Sequence, residues 1–192
     1  MTTDDALRPT EDQNVITHWV DIYFFPVLVG RLVDLDRPLG LLFDELSARR
    51  GDPDFLLEEI SDLVGEGLHR CQLYMRERIG RRLRTNALQC GPRVGARYVA
   101  EVIWAAANYW KHQAEWPVVG RLSKQQESTL KVFRDAGITE DEYWLAHLLH
   151  VLSPEHTALA PVADQLLLWR DAFDRESEIG RRRSERRRRK RG

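Results

Sequence analysis

One stretch of the sequence carries polar side chains that could do acid–base chemistry. Asn108 and His112 lie four residues apart, with Glu115 one turn further on, in the segment from Arg93 to Trp116. Residues four apart share a face of an α-helix, so the amide and the imidazole are predicted to be neighbours. The rest of the segment is apolar on nearly all sides, which is typical of a central helix. Because an unpartnered buried polar group costs roughly 1–3 kcal/mol, the pair forms either a hydrogen-bonded core pair or a functional cleft.

The residues around this pair, ANYWKHQAEW, resemble the helical HEPN superfamily (higher eukaryotes and prokaryotes nucleotide-binding). Ribonucleases of that superfamily carry an Arg, then often Asn, Asp or His, and then a His a few residues later. The resemblance implies a helical bundle that commonly dimerises and that cuts RNA without a metal, often in toxins or phage defence. It assigns His112 to the acid–base His of the motif and Asn108 to the polar residue after the Arg, here the partner that orients His112.

The motif departs from the family at one position. The charge-stabilising Arg should precede Asn108, and position 107 is Ala. Arg97 lies fifteen residues before His112, about 22 Å along a helix, which is too far to replace it within one chain. A ribonuclease of this kind therefore needs an Arg from the second subunit of a homodimer. The first functional prediction is an RNA-handling HEPN-like protein, with ribonuclease activity in a bacterial defence or toxin–antitoxin setting as its catalytic form.

The alternative function rests on the strongly basic C-terminus. Residues 180–192 read GRRRSERRRRKRG and carry a formal charge of +8, which leaves −9 on the rest of the chain. Such a cluster can neutralise several phosphates with little base specificity, so a non-catalytic module that binds nucleic acid or an acidic partner is the second prediction. A solvated end, an end docked on the acidic body, or a structural protein without a partner are further alternatives. The nucleic-acid-binding candidates are Arg181, Arg182, Arg183, Arg186, Arg187, Arg188, Arg189, Lys190 and Arg191.

Three more histidines raise the question of a metal site. His147 and His150 are three residues apart on one predicted helix, and His156 follows in a loop. This spacing permits shared ligation, but a structural zinc needs four ligands and a catalytic one needs three plus water. No Cys lies nearby, and the chain contains no phosphate-binding loop or dinucleotide-binding motif. The sequence therefore predicts neither a metal site nor a cofactor.

The elements that must position these side chains are predicted from hydrophobic periodicity and capping signals. The segment from Val27 to Leu35 is ambiguous because its residues suit a strand as well as a helix. The sequence leaves open whether the last helix continues into the arginine tail. In chain order, the predicted helices run from Asn14 to Pro26, from Pro38 to Arg50, from Asp52 into the arginines at 76–84, from Arg93 to Trp116, from a capping box at Ser123/Gln126 to Gly137, from a second capping box at Thr139/Glu142 to Ser153, and from near Pro161 onward.

These elements predict an all-α, single-domain bundle of five to seven helices. A chain of 192 residues with 43% hydrophobic residues can build one packed core. The bundle is expected at 14–178, between a disordered N-terminus at 1–13 and the basic tail at 179–192. The longest apolar run is nine residues, Ile22 to Gly30, against the ~20 that a membrane helix needs, and the N-terminus lacks the layout of a secretory signal. Cys71 and Cys90 form no disulfide framework. The expected protein is soluble and cytoplasmic.

Overall fold

A computed structural model describes residues 19–80, 86–116, 121–139 and 142–189. Within these ranges the protein is all-α, and a single short hairpin is its only sheet. This confirms the predicted helical bundle, whereas the predicted disorder at 1–13 and the helix start at Asn14 lie outside the described residues. The α-helices are α1 (Phe25–Ser47), α2 (Pro53–Ile79), α3 (Val99–His112), α4 (Lys124–Ala136), α5 (Trp144–Leu152) and α6 (Ala160–Arg189).

The first helix is continuous across both of its prolines. A π-helical turn, Val20–Phe24, leads directly into α1, so Pro26 stands in the first turn of α1, a position that tolerates proline. Pro38 lies inside α1, where proline costs roughly 3 kcal/mol of intrinsic helix propensity. Leu32 and Leu39, fully buried on either side of it, offset that cost by packing. The predicted break at Pro26 and the strand alternative after it are therefore wrong.

The long helix α2 occupies the centre of the bundle and packs against α1, α3 and α5. It begins where predicted, because the Asp52 carboxylate accepts a hydrogen bond from the Asp54 N–H at 3.0 Å and Pro53 fills the first helical position. Its predicted apolar stripe is confirmed as core, and both cysteines of the chain are buried and unpaired. The fully buried members of the stripe are Ile60, Val64, Leu68, Cys71 and Met75.

A β-hairpin replaces the start of the helix predicted from Arg93. Strand β1 (Arg93–Val94) pairs antiparallel with β2 (Arg97–Tyr98), and α3 begins only after β2. Gly95 in the turn has φ 55°, and a Cβ there would lie 2.5 Å from the carbonyl oxygen of Asp135 at the end of α4. The turn thus needs glycine for its backbone conformation and for close approach. The Arg97 guanidinium donates to the Asp135 carboxylate at 2.7 Å, so Arg97 fastens the hairpin to α4 and does not share the polar face of α3.

The two predicted capping boxes have different outcomes. The Ser123 Oγ accepts from the Gln126 N–H at 3.3 Å while the Gln126 side chain accepts from the Ser123 N–H at 2.8 Å, so the first box is confirmed at the start of α4. Helix α4 also stops at position 137, as predicted. Helix α5 begins only at Trp144, beyond Glu142, so the second box does not start it. Positions 140 and 141 lie outside the described residues.

The last helix joins the bundle to the basic tail. Both carboxylate oxygens of Asp36 in α1 accept backbone N–H groups, from Leu159 and Ala160, and so cap the start of α6 from another helix. Trp169 is fully buried and donates its indole N–H to the Ala87 carbonyl at 2.9 Å. The helix continues to Arg189, which confirms the continuation into the tail, and its described side chains from 179 onward are exposed. None of the described helices is both long and apolar enough to span a bilayer.

Candidate functional site

The two side chains predicted to be catalytic line one open cleft. Helix α3 presents Asn108 and His112, and the N-terminal part of α4 lies opposite them across a cavity of about 170 Å³. This volume is below the ~300 Å³ at which drug-sized ligand pockets begin, so it suits one small group of a larger ligand. The alternative of a core pair does not describe these residues, because His112 is exposed. The other lining residues are Tyr109, Glu115, Trp116, Ser123, Gln125, Gln126 and Thr129.

His112 is held by a carboxylate. Its side chain is 53% exposed, and its Nδ1 lies 3.0 Å from Oε1 of Glu115. When Nδ1–H donates to the carboxylate, Nε2 is left as the acceptor of the ring, which is the arrangement of a general base oriented by a neighbouring group. Water screens this exposed pair, so it contributes little to stability. The structure thus pairs His112 with Glu115, and Asn108 with Gln72; the catalytic roles predicted for His112 and Asn108 stay predictions.

Asn108 belongs instead to a hydrogen-bond network between α3 and α2. Gln72 of α2 is 4% exposed, and its Nε2 donates to Asn108 Oδ1 at 3.0 Å and to the Trp104 carbonyl at 3.3 Å. Lys111 Nζ donates to Gln72 Oε1 at 2.8 Å. With its oxygen engaged by Gln72, the Asn108 amide has its NH₂ group to offer the cleft as a hydrogen-bond donor. The network thus leaves the NH₂ end of the Asn108 amide, and not its oxygen, available to a ligand.

Sequence reasoning did not connect Gln72 and His69 with this site, and it named Lys111 only as part of the ANYWKHQAEW segment. The His69 ring lies 5.7 Å from the ring of Trp110, and its Nδ1 is buried without a partner among the described atoms. Burial lowers the pKa of His69, and the nearby Lys111 ammonium lowers it further. The one available signal was a polar residue, Gln72, beside the apolar stripe of α2. Nothing in its spacing indicates that its partners lie more than thirty residues later in the chain.

The cleft lacks a cation among its described lining residues. Glu115 is the one lining side chain that carries a formal charge when His112 is neutral. Lys111 is engaged with Gln72, and Arg97 is paired with Asp135. Residues 117–120, next to the cleft in sequence, lie outside the described part of the chain. The charge-stabilising Arg of the ribonuclease motif therefore has no counterpart among the described residues of this cleft.

The basic tail forms the last turns of α6, and one side of it is self-neutralised. Arg181 and Arg182 both reach Glu178, with nitrogen–oxygen distances of 2.9 and 2.7 Å. Arg181 also lies 3.2 Å from Glu185. These contacts lower the pKa of the Glu178 carboxyl, chiefly through its hydrogen bonds from Arg182 and Arg181. Two of the predicted nucleic-acid-binding arginines are thus already paired with carboxylates of their own helix.

Another side of the same turns carries unpaired arginines. Arg183, Arg186 and Arg187 follow an i, i+3, i+4 pattern, which places them on one helix face. All three are exposed, and none forms an ion pair with any residue the structure describes. We call these three residues the arginine face. Arg189 is also exposed, whereas the side chain of Arg188 and the residues Lys190 and Arg191 lie outside what is described.

The later histidines are not gathered into one cluster. The His150 ring contacts Phe43 edge-on with centroids 5.5 Å apart, and its Nδ1 lies 3.4 Å from the Thr157 hydroxyl. His147 is half-buried and His156 is exposed. Across the described ranges, no three His, Cys, Asp or Glu side chains lie close enough together to hold a metal ion.

Comparison of the chain with protein-family models, curated proteins and solved structures finds no match. The resemblance of ANYWKHQAEW to the HEPN superfamily stays a prediction that rests on those residues alone. Function is therefore argued from the cleft and the arginine face, since a fold by itself does not specify an activity.

Proposed function

We propose that this protein is a helical RNA-handling protein that binds the RNA backbone through the arginine face of α6. The observation that supports this most is the division of charge around the last turns of the helix. Arg181 and Arg182 are neutralised by Glu178 and Glu185, while the arginine face stays exposed and unpaired. The choice of RNA over other polyanions follows the resemblance described above.

The spacing of the arginine face suits a phosphate backbone. Arg183 to Arg187 spans four residues, about 6 Å along the helix axis, and a nucleic-acid strand carries one phosphate per ~3.4 Å of its axis. Three guanidinium groups can therefore reach two or three successive phosphates, each with a bidentate hydrogen-bond geometry. The last turns present no aromatic side chain for base stacking, so binding is expected to depend on the backbone and not on sequence.

The test is binding of fluorescently labelled single-stranded RNA, measured by anisotropy. The triple variant Arg183→Gln/Arg186→Gln/Arg187→Gln should bind at least about tenfold more weakly, since it removes the three cations of the arginine face. The matched control is Glu178→Gln/Arg181→Gln/Arg182→Gln/Glu185→Gln, which alters the paired side, leaves the net charge unchanged and keeps good helix formers. The control should retain the wild-type affinity. Equal affinity of wild type and the triple variant would reject the proposal.

A second candidate function is RNA cleavage in the cleft, favoured by the open position of Asn108 and His112 with Glu115 behind the imidazole. In this reaction Nε2 of His112 takes the proton from a ribose 2′-hydroxyl. The 2′-oxygen then bonds to the adjacent phosphorus, and the bond to the 5′-oxygen breaks as that oxygen takes a proton from water, which leaves a 2′,3′-cyclic phosphate and a free 5′-hydroxyl. The Asn108 NH₂ group donates to a non-bridging oxygen. An Arg from a second copy of the chain supplies the missing positive charge.

Mutation of His112 tests the cleavage function directly. His112→Ala should abolish RNA cleavage while leaving helicity unchanged, because the side chain is exposed and contributes no core packing. The control is His156→Ala, which removes an exposed histidine outside the cleft and should keep full activity. Equal RNA degradation by wild type and His112→Ala would exclude the cleft as an active site, and would leave the binding proposal untouched.

Deletion of residues 181–192 separates the two functions. A protein that acts only through the arginine face should lose RNA binding with the deletion. A cleft ribonuclease should keep its turnover of a short substrate, because none of the residues that line the cleft lies in the deleted segment.

A further inference from the structure

The outer face of α1 and of the helical residues before it (19–24) is exposed, and a row of mostly apolar side chains runs along it beside the exposed ion pair of Arg31 with Asp34 at 3.7 Å. The helix buries Leu28, Leu32 and Leu39 in the bundle and leaves the opposite side uncovered by any described residue. Trp19 is 60% exposed and Leu41 is 61% exposed, at the two ends of this side. Monomeric proteins rarely expose a contiguous apolar patch of this length. We call it the α1 stripe; its exposed members are Trp19, Tyr23, Val27, Gly30, Val33, Arg37 and Leu41.

The α1 stripe is symmetric about Gly30. Its successive members are separated by 4, 4, 3, 3, 4 and 4 residues, so each position on one side of Gly30 has a counterpart the same number of residues away on the other. Trp19 and Tyr23 belong to the π-helical turn that precedes α1, and their counterparts belong to α1 itself. An isologous twofold interface has this property, because residue i of one copy contacts residue j of the other and j contacts i. Two antiparallel copies of α1 crossing at Gly30 bring together positions 27 and 33, 23 and 37, and 19 and 41.

The residues matched in this way are chemically compatible. Val27 faces Val33, and the large apolar side chains of Trp19 and Leu41 face each other at the ends. Arg37 faces Tyr23, whose ring can receive the guanidinium on its face. No pair in the stripe brings two like charges together. The stripe is therefore complementary to itself, which an accidental apolar patch need not be.

Gly30 has no role in the fold of one copy. A Cβ built at this position meets nothing within 4 Å, and its backbone is helical. Glycine weakens the interior of a helix, so another residue would serve a monomer better. At the crossing point of two helices, however, the missing side chain allows the two backbones to approach closely. A glycine at the centre of the symmetric stripe is therefore compatible with a second copy; Gly40, outside the stripe, likewise has no neighbour within 4 Å in one copy.

We propose that the protein forms a homodimer through antiparallel packing of two α1 stripes centred on Gly30. The exposed side chains of the stripe offer on the order of 600 Å² per copy, and the flanking Ile22 and Pro26, both exposed, bring the contact near the ~800 Å² per partner of a stable interface. No residue of the stripe lines the cleft or belongs to the arginine face. The proposal is therefore independent of RNA binding by the arginine face, whereas RNA cleavage in the cleft, which takes an Arg from a second copy of the chain, also requires a dimer.

Sedimentation velocity over a range of concentrations of the full chain tests the dimer. Wild type should sediment as a dimer, and Gly30→Gln should sediment as a monomer, because the new side chain occupies the crossing point. The matched control is Gly40→Gln. Gly40 is also exposed on α1, and a Cβ built there meets nothing within 4 Å. Unlike Gly30, Gly40 is not a member of the stripe. Both variants should keep the helical circular dichroism of wild type, and the control should remain a dimer.

Cross-linking locates the twofold axis. The cysteine in the variant Gly30→Cys is shorter than glutamine and would meet its own copy at the axis, so mild oxidation should trap even a weakened dimer as a covalent one that a reductant dissolves. Gly40→Cys should give none, and the native Cys71 and Cys90 do not interfere because both are buried. A wild-type monomer at all concentrations overturns the proposal. Coverage of the stripe by residues 1–18 or by a lipid surface would give that result. A dimer that survives Gly30→Gln and gives no Gly30→Cys cross-link also overturns it.

Discussion

Gln72 occupies a buried position at which its whole amide is used. Its nitrogen donates to Asn108 and to the Trp104 carbonyl, and its oxygen accepts from Lys111. A buried amide with all of these bonds made stabilises the contact of α2 with α3, whereas the same amide without partners would destabilise it by roughly 1–3 kcal/mol. One residue of the core thereby sets the orientation of Asn108 at the surface of the cleft.

His69, one turn from Gln72, gives this contact a pH dependence. Burial lowers the pKa of His69 below its ordinary value of 6.5, with a further contribution from Lys111. The folded protein thus favours the neutral ring, and its stability is fully present above about pH 6.5. As the pH falls below that value, the unfolded chain takes up a proton that folded His69 binds less readily, so stability is lost.

The variant His69→Gln should therefore lose less stability than wild type between about pH 7 and pH 5, because glutamine does not titrate. Urea unfolding at a series of pH values measures the difference. The exposed His156 supplies the control, as His156→Gln should follow the wild-type profile. Parallel profiles for wild type and His69→Gln would show that this histidine titrates alike in the folded and unfolded chains.

At the scale of helices, the contact of α2 with α3 depends on close approach at Gly65. A Cβ at this position would lie 2.1 Å from Cδ1 of Trp110, well inside van der Waals contact. The indole of Trp110 thus fills the space that any other residue at 65 would need. Trp110 also donates to Asp62 at 3.3 Å, which ties its ring to the same helix.

Gly65→Ala should destabilise the protein by roughly 1–3 kcal/mol, the usual cost of adding a methyl group to a tightly packed contact. Gly40→Ala is the matched control, because it introduces the same change into a helix with no neighbour within 4 Å and should stabilise by about 0.5–1 kcal/mol through helix propensity. Chemical denaturation of the two variants measures both the loss of stability expected for Gly65→Ala and the gain expected for Gly40→Ala. A neutral or stabilising Gly65→Ala would mean that Trp110 moves aside at little cost.

Two elements specified by local chemistry were predicted correctly from the sequence, although the local capping box at Thr139/Glu142 does not start α5, and two elements that involve distant contacts were not predicted. The Asp52 cap and the Ser123 capping box involve residues within one turn, and both are confirmed. The continuity of α1 through Pro38 goes with the burial of Leu32 and Leu39 in the bundle, and the hairpin turn at Gly95 lies against the end of α4. Periodicity within one segment carries no information about such partners.

The same distinction applies to the candidate site. The spacing of Asn108 and His112 along one helix correctly placed both on one cleft, because four residues bring side chains to the same helix face. The pairing of Asn108 with Gln72 across two helices could not be predicted in this way. In the tail, the sequence predicted the cluster of cations, but only the helical geometry shows which arginines are neutralised by Glu178.

The molecule as a whole separates its charges along its length. The body carries a formal charge of −9 and the segment 180–192 carries +8. Helix α6 connects them, and its 30 residues span about 45 Å. The arginine face begins fourteen residues beyond the buried Trp169, about 21 Å along the helix axis, which exceeds the ~8–10 Å over which charges interact strongly at physiological salt. This separation favours contact of the arginines with an external polyanion over folding back onto the body.

The salt dependence of RNA binding follows from this arrangement. Each phosphate neutralised on a single strand adds about −0.7 to the slope of log K against log salt concentration. Loss of Arg183, Arg186 and Arg187 should therefore flatten the slope by roughly 2, whereas the charge-neutral control variant of the paired side should leave it unchanged. Anisotropy titrations across a series of salt concentrations measure both slopes. The triple variant could instead bind more weakly with an unchanged slope of log K against log salt concentration. That result would mean that the three arginines do not contact phosphates and that the weaker binding has another cause, such as a change in the helix itself.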